Sequence, residues 1–197
     1  YGALYALQLQ AGYNIHLGAK SALAMLGKVH YLPLGEPNAE LFLSLDRTLP
    51  TWFLNYAWEQ PYKIHTTHFI PDSTGLQEYE VGSFNIIISN AERAILECLY
   101  LCNDEADIVE SYQLLEGLNT LRPNLVQSLL ESCKSIKVKR LFLFIAERIH
   151  HAWFDSLDIS TIDLGAGKRS IIKGGLFVPK YDITIPKALT MNEITRI

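Results

Sequence analysis

The stretch from Phe84 to Tyr100 constrains this chain most, because there a strand must hand over directly to a helix that has to be buried. Phe84-Asn85-Ile86-Ile87-Ile88 is strand-like, and Ser89-Asn90-Ala91-Glu92 behind it has the form of a capping box. In that arrangement Ser89 accepts from the backbone N–H three residues on while Glu92 reaches back to the Ser89 N–H, together worth about 1 kcal/mol. Ile88 can staple onto the first helical turn. Past the cap, Ala91, Ala94, Ile95, Cys98, Leu99 and Cys102 recur at three- and four-residue spacing and make one apolar stripe. A helix of that kind is stable only where another element covers it.

Upstream the pattern is mostly extended. Residues 3–11 read as a helix ended by Gly12, Tyr13–Leu17 as a short strand, and 18–26 as a small-residue helix closed by Gly27. Val29–Leu34, stopped by Pro33, and Leu41–Leu45 read as strands, and Pro50-Thr51-Trp52-Phe53 as a turn of helix. Tyr62–Ile70 alternates, Pro71–Gly75 has turn composition, and Leu76–Val81 is expected to pair back on it as a hairpin. Downstream the pattern is helical: Asp107 is expected to cap 108–117, Pro123 to open 123–132, and Ser135 to cap 136–151. Ser170–Lys173, the Gly174-Gly175 turn and Leu176–Ile185 then read as a closing hairpin. Strands first and helices after predict an α+β fold: a mostly antiparallel sheet packed with a block of three to four helices, and a closing β-hairpin. The expectation is one domain over 1–197 with three lobes, β-rich to residue 88, helical from 89 to 157, and closing strands from 158 on.

A hydrophobic content of 49% against 19% charged residues excludes general disorder. No apolar run approaches the ~18 residues of a membrane span, and no signal peptide opens the chain, so a cytoplasmic protein is expected. Tyr1 stands where a methionine would, and Gly2–Gln8 reads as a helix already under way, so a preceding segment is expected. Cys98, Cys102 and Cys133 fall one short of a zinc tetrad, and the first two lie on the apolar stripe, which makes them core thiols. His65 and His68 point to opposite sides of a strand, and His150 and His151 sit about 100° apart on a helix, which is poor metal geometry in both cases. Gly165-Ala166-Gly167-Lys168-Arg169-Ser170 resembles a phosphate loop superficially, but it lacks the G-x-x-x-x-G-K-[ST] frame and leads into a strand. No metal, cofactor or catalytic residue is expected.

Charge is uneven along the helical part. Asp104, Glu105, Asp107, Glu110, Glu116 and Glu131 are balanced by Arg122 alone. Lys134, Lys137, Lys139, Arg140, Arg148, Lys168, Arg169 and Lys173 then outnumber Glu147, Asp155, Asp158 and Asp163. Four of these cations crowd the start of the last long helix, where the macrodipole disfavours them by a few tenths of a kcal/mol each. A solvated surface is one reading of this cluster, and a surface for nucleic acid or a protein partner is the other. Trp52, Tyr56, Trp58 and Tyr62 form an aromatic-rich patch that is either core or, where exposed, an anchor for a partner.

The block Ser89-x-x-Glu92-Arg93-Ala94-Ile95-Leu96-Glu97, followed by three helices with Val138-Lys139-Arg140-Leu141 in the last, resembles the antitoxin domain of AbiEi proteins. Asn14–Leu23 with Gly27, and His30-Tyr31-Leu32-Pro33-Leu34-Gly35, fit the same family. The resemblance implies an antitoxin of a bacterial type IV toxin–antitoxin pair that opposes a nucleotidyltransferase-like toxin and represses its own operon. Family members usually carry a winged helix-turn-helix ahead of this region, which supplies the main DNA contacts, and no such unit is legible here. The implied partners are operator DNA and the toxin, the latter without need of a stable complex. No membrane is implied, and a monomer is expected. The eight cations named above are the candidate surface for partner or nucleic acid. A purely DNA-binding regulator is the alternative, and a nuclease-like or nucleotidyl enzyme is disfavoured for want of an acid cluster.

Overall fold

In the computed structural model residues 1–28, 38–44 and 47–189 are described, and the chain divides into two compact units, Tyr1–Ala94 and Ile95–Ile197. In the first unit α1 (Gly2–Tyr5) runs into a π-helical turn, Ala6–Gln10, where the Ala11 N–H donates to the Ala6 carbonyl at 3.0 Å, five residues back. Gly12, at φ +64°, ends it. Then come β1 (Ile15–Leu17), α2 (Ala19–Met25), β2 (Ala39–Leu43), α3 (Thr51–Asn55), β3 (Tyr62–Thr66), β4 (Leu76–Val81) and β5 (Phe84–Ser89). The strands lie in the order β3-β2-β1-β5-β4. β1/β2 and β4/β5 are antiparallel, whereas β2/β3 and β1/β5 are parallel, so the sheet is mixed. Ile15, Leu17, Leu41, Leu43, Ile86 and Ile88 are buried. Because Ala19 and Ala22 are small, α2 approaches β2 and β5 closely and buries Leu23 with them.

Strand pairing differs from the sequence expectation. β4 does not fold back on the Tyr62–Ile70 stretch, which leaves the strand at Thr66; it pairs with β5 from Leu76↔Ser89 to Val81↔Phe84. The two-residue Gly82-Ser83 connection, with Gly82 at φ +62°, is a tighter hairpin than Pro71–Gly75 can make. Val29–Leu34 and Leu45 lie outside the described residues. The β1/β5 register joins Leu17 to Ile88, and the Gln8 side chain supplements it. Its Nε2 donates to the Ile15 and Ile87 carbonyls at 2.8 and 2.9 Å, and its Oε1 accepts from the Ile87 N–H at 2.9 Å.

The helix start at α4 (Ala91–Leu101) also lies one residue later than the sequence reading puts it. Ser89 stays in the ladder opposite Leu76, and the Asn90 N–H continues it by donating to the Gly75 carbonyl at 2.9 Å. The cap is therefore Asn90, whose Oδ1 accepts from the Arg93 N–H at 3.0 Å. Asn90→Ala is expected to cost about 0.5–2 kcal/mol. A lowered urea midpoint for this variant would check it, and an unchanged midpoint would mean that the cap is dispensable.

The boundary between units falls within α4. In the second unit follow α5 (Glu105–Glu116), α6 (Pro123–Ser132) and α7 (Ile136–Ile149). α5 starts earlier than expected because Asp104, not Asp107, is its cap: the Asp104 carboxylate accepts from the Asp107 N–H at 2.9 Å, and that of Asp107 accepts from the Asn103 N–H at 2.8 Å. Pro123 opens α6, and Ser135 caps α7 through the Val138 N–H, as the sequence predicts. Val138, Leu141, Phe142 and Ile145 are buried, and Phe142 meets Trp153, whose indole N–H donates to the Leu118 carbonyl at 3.0 Å.

The chain closes in a small sheet of β6 (Arg169–Ser170), β7 (Leu176–Val178) and β8 (Ile183–Ile185), ordered β6-β8-β7. The hairpin here is β7–β8, turned by a 3₁₀ segment at Pro179–Tyr181 and by Asp182 at φ +50°, while β6 pairs in parallel on the far side of β8. Gly174-Gly175 is thus not a hairpin turn. It joins β6 to β7, and a Cβ on Gly175 would stand 2.3 Å from the Ile185 carbonyl oxygen, so close backbone approach is what requires glycine there. The architecture is α+β.

Candidate functional site

The basic start of α7 is the feature that the sequence singles out, and the structure sends its cations in different directions. The Lys137 Nζ donates to the Tyr100 and Cys102 carbonyls at 2.7 and 2.9 Å, where α4 ends, and so satisfies acceptors that no helical N–H reaches. Burial pushes its pKa down. Lys139, 3% exposed, donates to the Asp163 carbonyl at 2.8 Å. Arg140, 2% exposed, has its guanidinium spread over four carbonyls: Leu164 at 2.8 Å, Gly167 at 2.7 Å, Asp182 at 3.0 Å and Gly165 at 3.1 Å. Lys137 and Arg140, three residues apart on α7 and so neighbours on its surface, reach separate carbonyl clusters. A cation at a helix start is tolerable when its charge is turned away from the helix into a nest of oxygens.

That nest is built from the loop of residues 164–167 together with Asp182. A phosphate loop aims N–H groups at its ligand, whereas this one offers carbonyls to a guanidinium, the opposite polarity. The clamp holds the loop that carries Lys168 and leads into Arg169, while Lys173 lies beyond β6; all three are exposed. Lys168 Nζ lies over the Phe177 ring, 4.8 Å from its centroid, and the Arg169 N–H is held by the Asp182 carbonyl at 2.9 Å. Lys134 is exposed ahead of α7, and Arg148 is exposed near its far end, where it hydrogen-bonds Tyr112. Fourteen residues separate these two, about 20 Å of helix, so they are not one cluster. On the same hairpin Lys180 pairs with Glu147, whose other oxygen accepts from the buried Tyr181 hydroxyl at 3.0 Å. Burial, then Glu147, raises the Tyr181 pKa. Lys180 was no candidate from sequence, since nothing marks it beyond its charge.

In the first unit the aromatic patch is partly exposed: Trp52 at 49%, Leu54 at 48% and Tyr56 at 62% surround a buried Phe53. Trp58 ties it together, its ring 4.3 Å from that of Tyr56 and its N–H donating to the Phe53 carbonyl at 2.9 Å.

The three cysteines are buried, and desolvation raises the thiol pKa of Cys102 and Cys133, which leaves them poor nucleophiles. His65 is occupied by the Glu40 carboxylate. Among the described residues no three His, Cys, Asp or Glu side chains gather as a metal site, and no helix is long and apolar enough to cross a membrane.

Comparison with known proteins bears on this arrangement. None of the curated proteins compared with the chain matches it. The crystal structure of the RV2827C protein from Mycobacterium tuberculosis has a similar fold, with a TM-score of 0.65 at 12% identity, over 93% of this chain and 66% of that one. The chain thus spans just under two thirds of that neighbour's length. Residues 36–186 match the family described as "Transcriptional regulator, AbiEi antitoxin, Type IV TA system", and residues 1–34 match its "AbiEi antitoxin N-terminal domain". With both matches together running through the two units, the chain belongs to the AbiEi family of type IV toxin–antitoxin regulators.

Proposed function

We propose that this protein counteracts a nucleotidyltransferase-like toxin, that the complete chain represses its own operon, and that the exposed cations of the 168–173 segment carry the antitoxin activity. The observation that supports this reading most is the family match over residues 36–186, which includes that segment. The geometry adds a reason for the choice of residues. Lys168, Arg169 and Lys173 are exposed, and the Arg140 clamp on the loop limits the entropy lost when a partner engages Lys168 and Arg169. Lys137, Lys139 and Arg140 act as positioning groups, and Lys134 and Arg148 are secondary contacts on the same unit.

The test is a triple reversal, Lys168→Glu, Arg169→Glu and Lys173→Glu, in the full-length protein. Survival of cells expressing the toxin is expected to fall by an order of magnitude or more while operator binding persists. A variant that rescues cells as the parent does removes the segment from the antitoxin site. The second reading is that these cations extend a DNA footprint, which their exposure and the exposed two-residue strand β6 favour. In that case operator affinity falls, and the slope of log affinity against log salt flattens by about 2–3 for three lost phosphate contacts.

A further inference from the structure

The first unit contains a cavity of about 220 Å³ that plays no part in the function proposed above. Its apolar walls include Phe42, Leu43, Phe69 and Ile87, and Ser44, Asp72 and Arg93 are among its polar ones. Two clips hold the walls. Gln8, in the π-helical turn, is tied to Ile15 and Ile87 through all three bonds of its amide. Arg93, 3% exposed, donates from one guanidinium nitrogen to the Pro71 and Thr74 carbonyls, both at 2.7 Å, and so fixes the turn that carries Asp72. Ser44 Oγ then orients the carboxylate by donating to Asp72 Oδ2 at 2.7 Å. Phe42 sits in a row of rings across the sheet, 5.5 Å from the near-parallel His16 and 5.1 Å from His65.

A pre-formed space with aromatic walls and an oriented carboxylate is built for a planar ring with adjacent N–H donors. The volume lies below the ~300–1,000 Å³ of drug-sized sites, which limits the occupant to one or two fused rings. Adenine and cytosine place a ring acceptor beside their amino group, and that acceptor would meet the carboxylate with like polarity. Guanine places N1–H beside its amino group, and both can donate. A guanidinium has suitable donors too, but its charge would enter a cavity already lined by cationic Arg93.

We propose that this cavity binds the donor edge of a guanine base, with N1–H and the amino group donating to Asp72 and the ring lying against the apolar wall that includes Phe69 and Ile87. The base comes either from a free nucleoside or from an unstacked position in a single strand, and the chemistry is shared. The whole protein is titrated by calorimetry with guanosine, with adenosine, and with a short single-stranded oligonucleotide holding one guanine. Saturable binding of guanosine is expected, with adenosine weaker by at least about tenfold, about 1.4 kcal/mol. Asp72→Asn, which can still accept from Ser44, should keep the parent's thermal midpoint and lose guanosine affinity by a similar factor. Binding of the oligonucleotide alone, with the same dependence on Asp72, supports the site and assigns the base to nucleic acid. Absence of saturable binding by guanosine and the oligonucleotide up to millimolar concentration, or equal binding by Asp72→Asn, overturns the proposal.

Discussion

Arg140→Met is expected to destabilise the second unit by about 3–5 kcal/mol, because several part-buried loop carbonyls lose a charged donor at once. Methionine keeps the apolar stem but leaves the carbonyls of Leu164, Gly165 and Gly167 without this donor, while that of Asp182 keeps the Arg169 N–H. Each hydrogen bond to a charged group is worth about 1.5–3 kcal/mol, yet the four do not add, because one relaxation of the loop would release several at once. Arg140→Lys should fall between parent and methionine, since a point ammonium cannot span four acceptors as a planar fork does. Trp153 reports on this unit once Trp52 and Trp58 are replaced by phenylalanine, and urea titration of its fluorescence reads the effect. Equal midpoints for the parent and the Arg140→Met variant would mean that water satisfies the loop and that the arginine is not a clamp. The antitoxin proposal is linked to this result, because a loosened loop would no longer hold Lys168 and Arg169 in place.

Gln8→Leu should cost the first unit about 2–4 kcal/mol although the two side chains are close in size. The substitution strands the Ile15 carbonyl together with both backbone groups of Ile87, and an unmet buried polar group costs about 1–3 kcal/mol. The site is only partly buried, so water recovers some of this. Amide hydrogen exchange separates the effect from a general loss of stability: the Ile87 N–H should exchange faster in the variant under native conditions. Unaltered protection at Ile87 would show that the strand pairing is sufficient without the clip.

Local signals in the sequence located most helices, because their causes are local. Ser135 caps α7, Pro123 opens α6, and Gly12 and Gly27 end their helices at positive φ, each from chemistry within a few residues. The misplaced starts have local causes too, but competing ones. Ser89 and Asn90 are both good caps, and the ladder to Leu76 and Gly75 decides between them. Asp104 and Asp107 are likewise both able to cap; Asp104 does so, and Asp107 instead accepts from the Asn103 N–H just before it. Strand partners were not legible, since β3 and β4 are adjacent in sequence yet occupy opposite edges of the sheet. The candidate site suffered most. Periodicity treats Lys139 and Arg140 as solvent-facing charges, and nothing local announces that a loop more than twenty residues on supplies carbonyls to bury them. The family block reads differently in the folded protein as well: Glu92, Arg93 and Glu97 are all buried, which makes its polar residues interior framework.

The wide turn at Ala6–Gln10 carries a consequence for how this chain can change over time. A π-helical turn holds one residue more than the α-helix around it. Deleting Leu9 or Gln10 would let the segment close into regular helix and rotate the part before the deletion by about 100° relative to the part after it. Gln8 would then swing off Ile15 and Ile87 even though every remaining side chain was unaltered. Tolerance in this stretch is therefore asymmetric: at Leu9, exchange of one amino acid for another is mild while a change in chain length is severe.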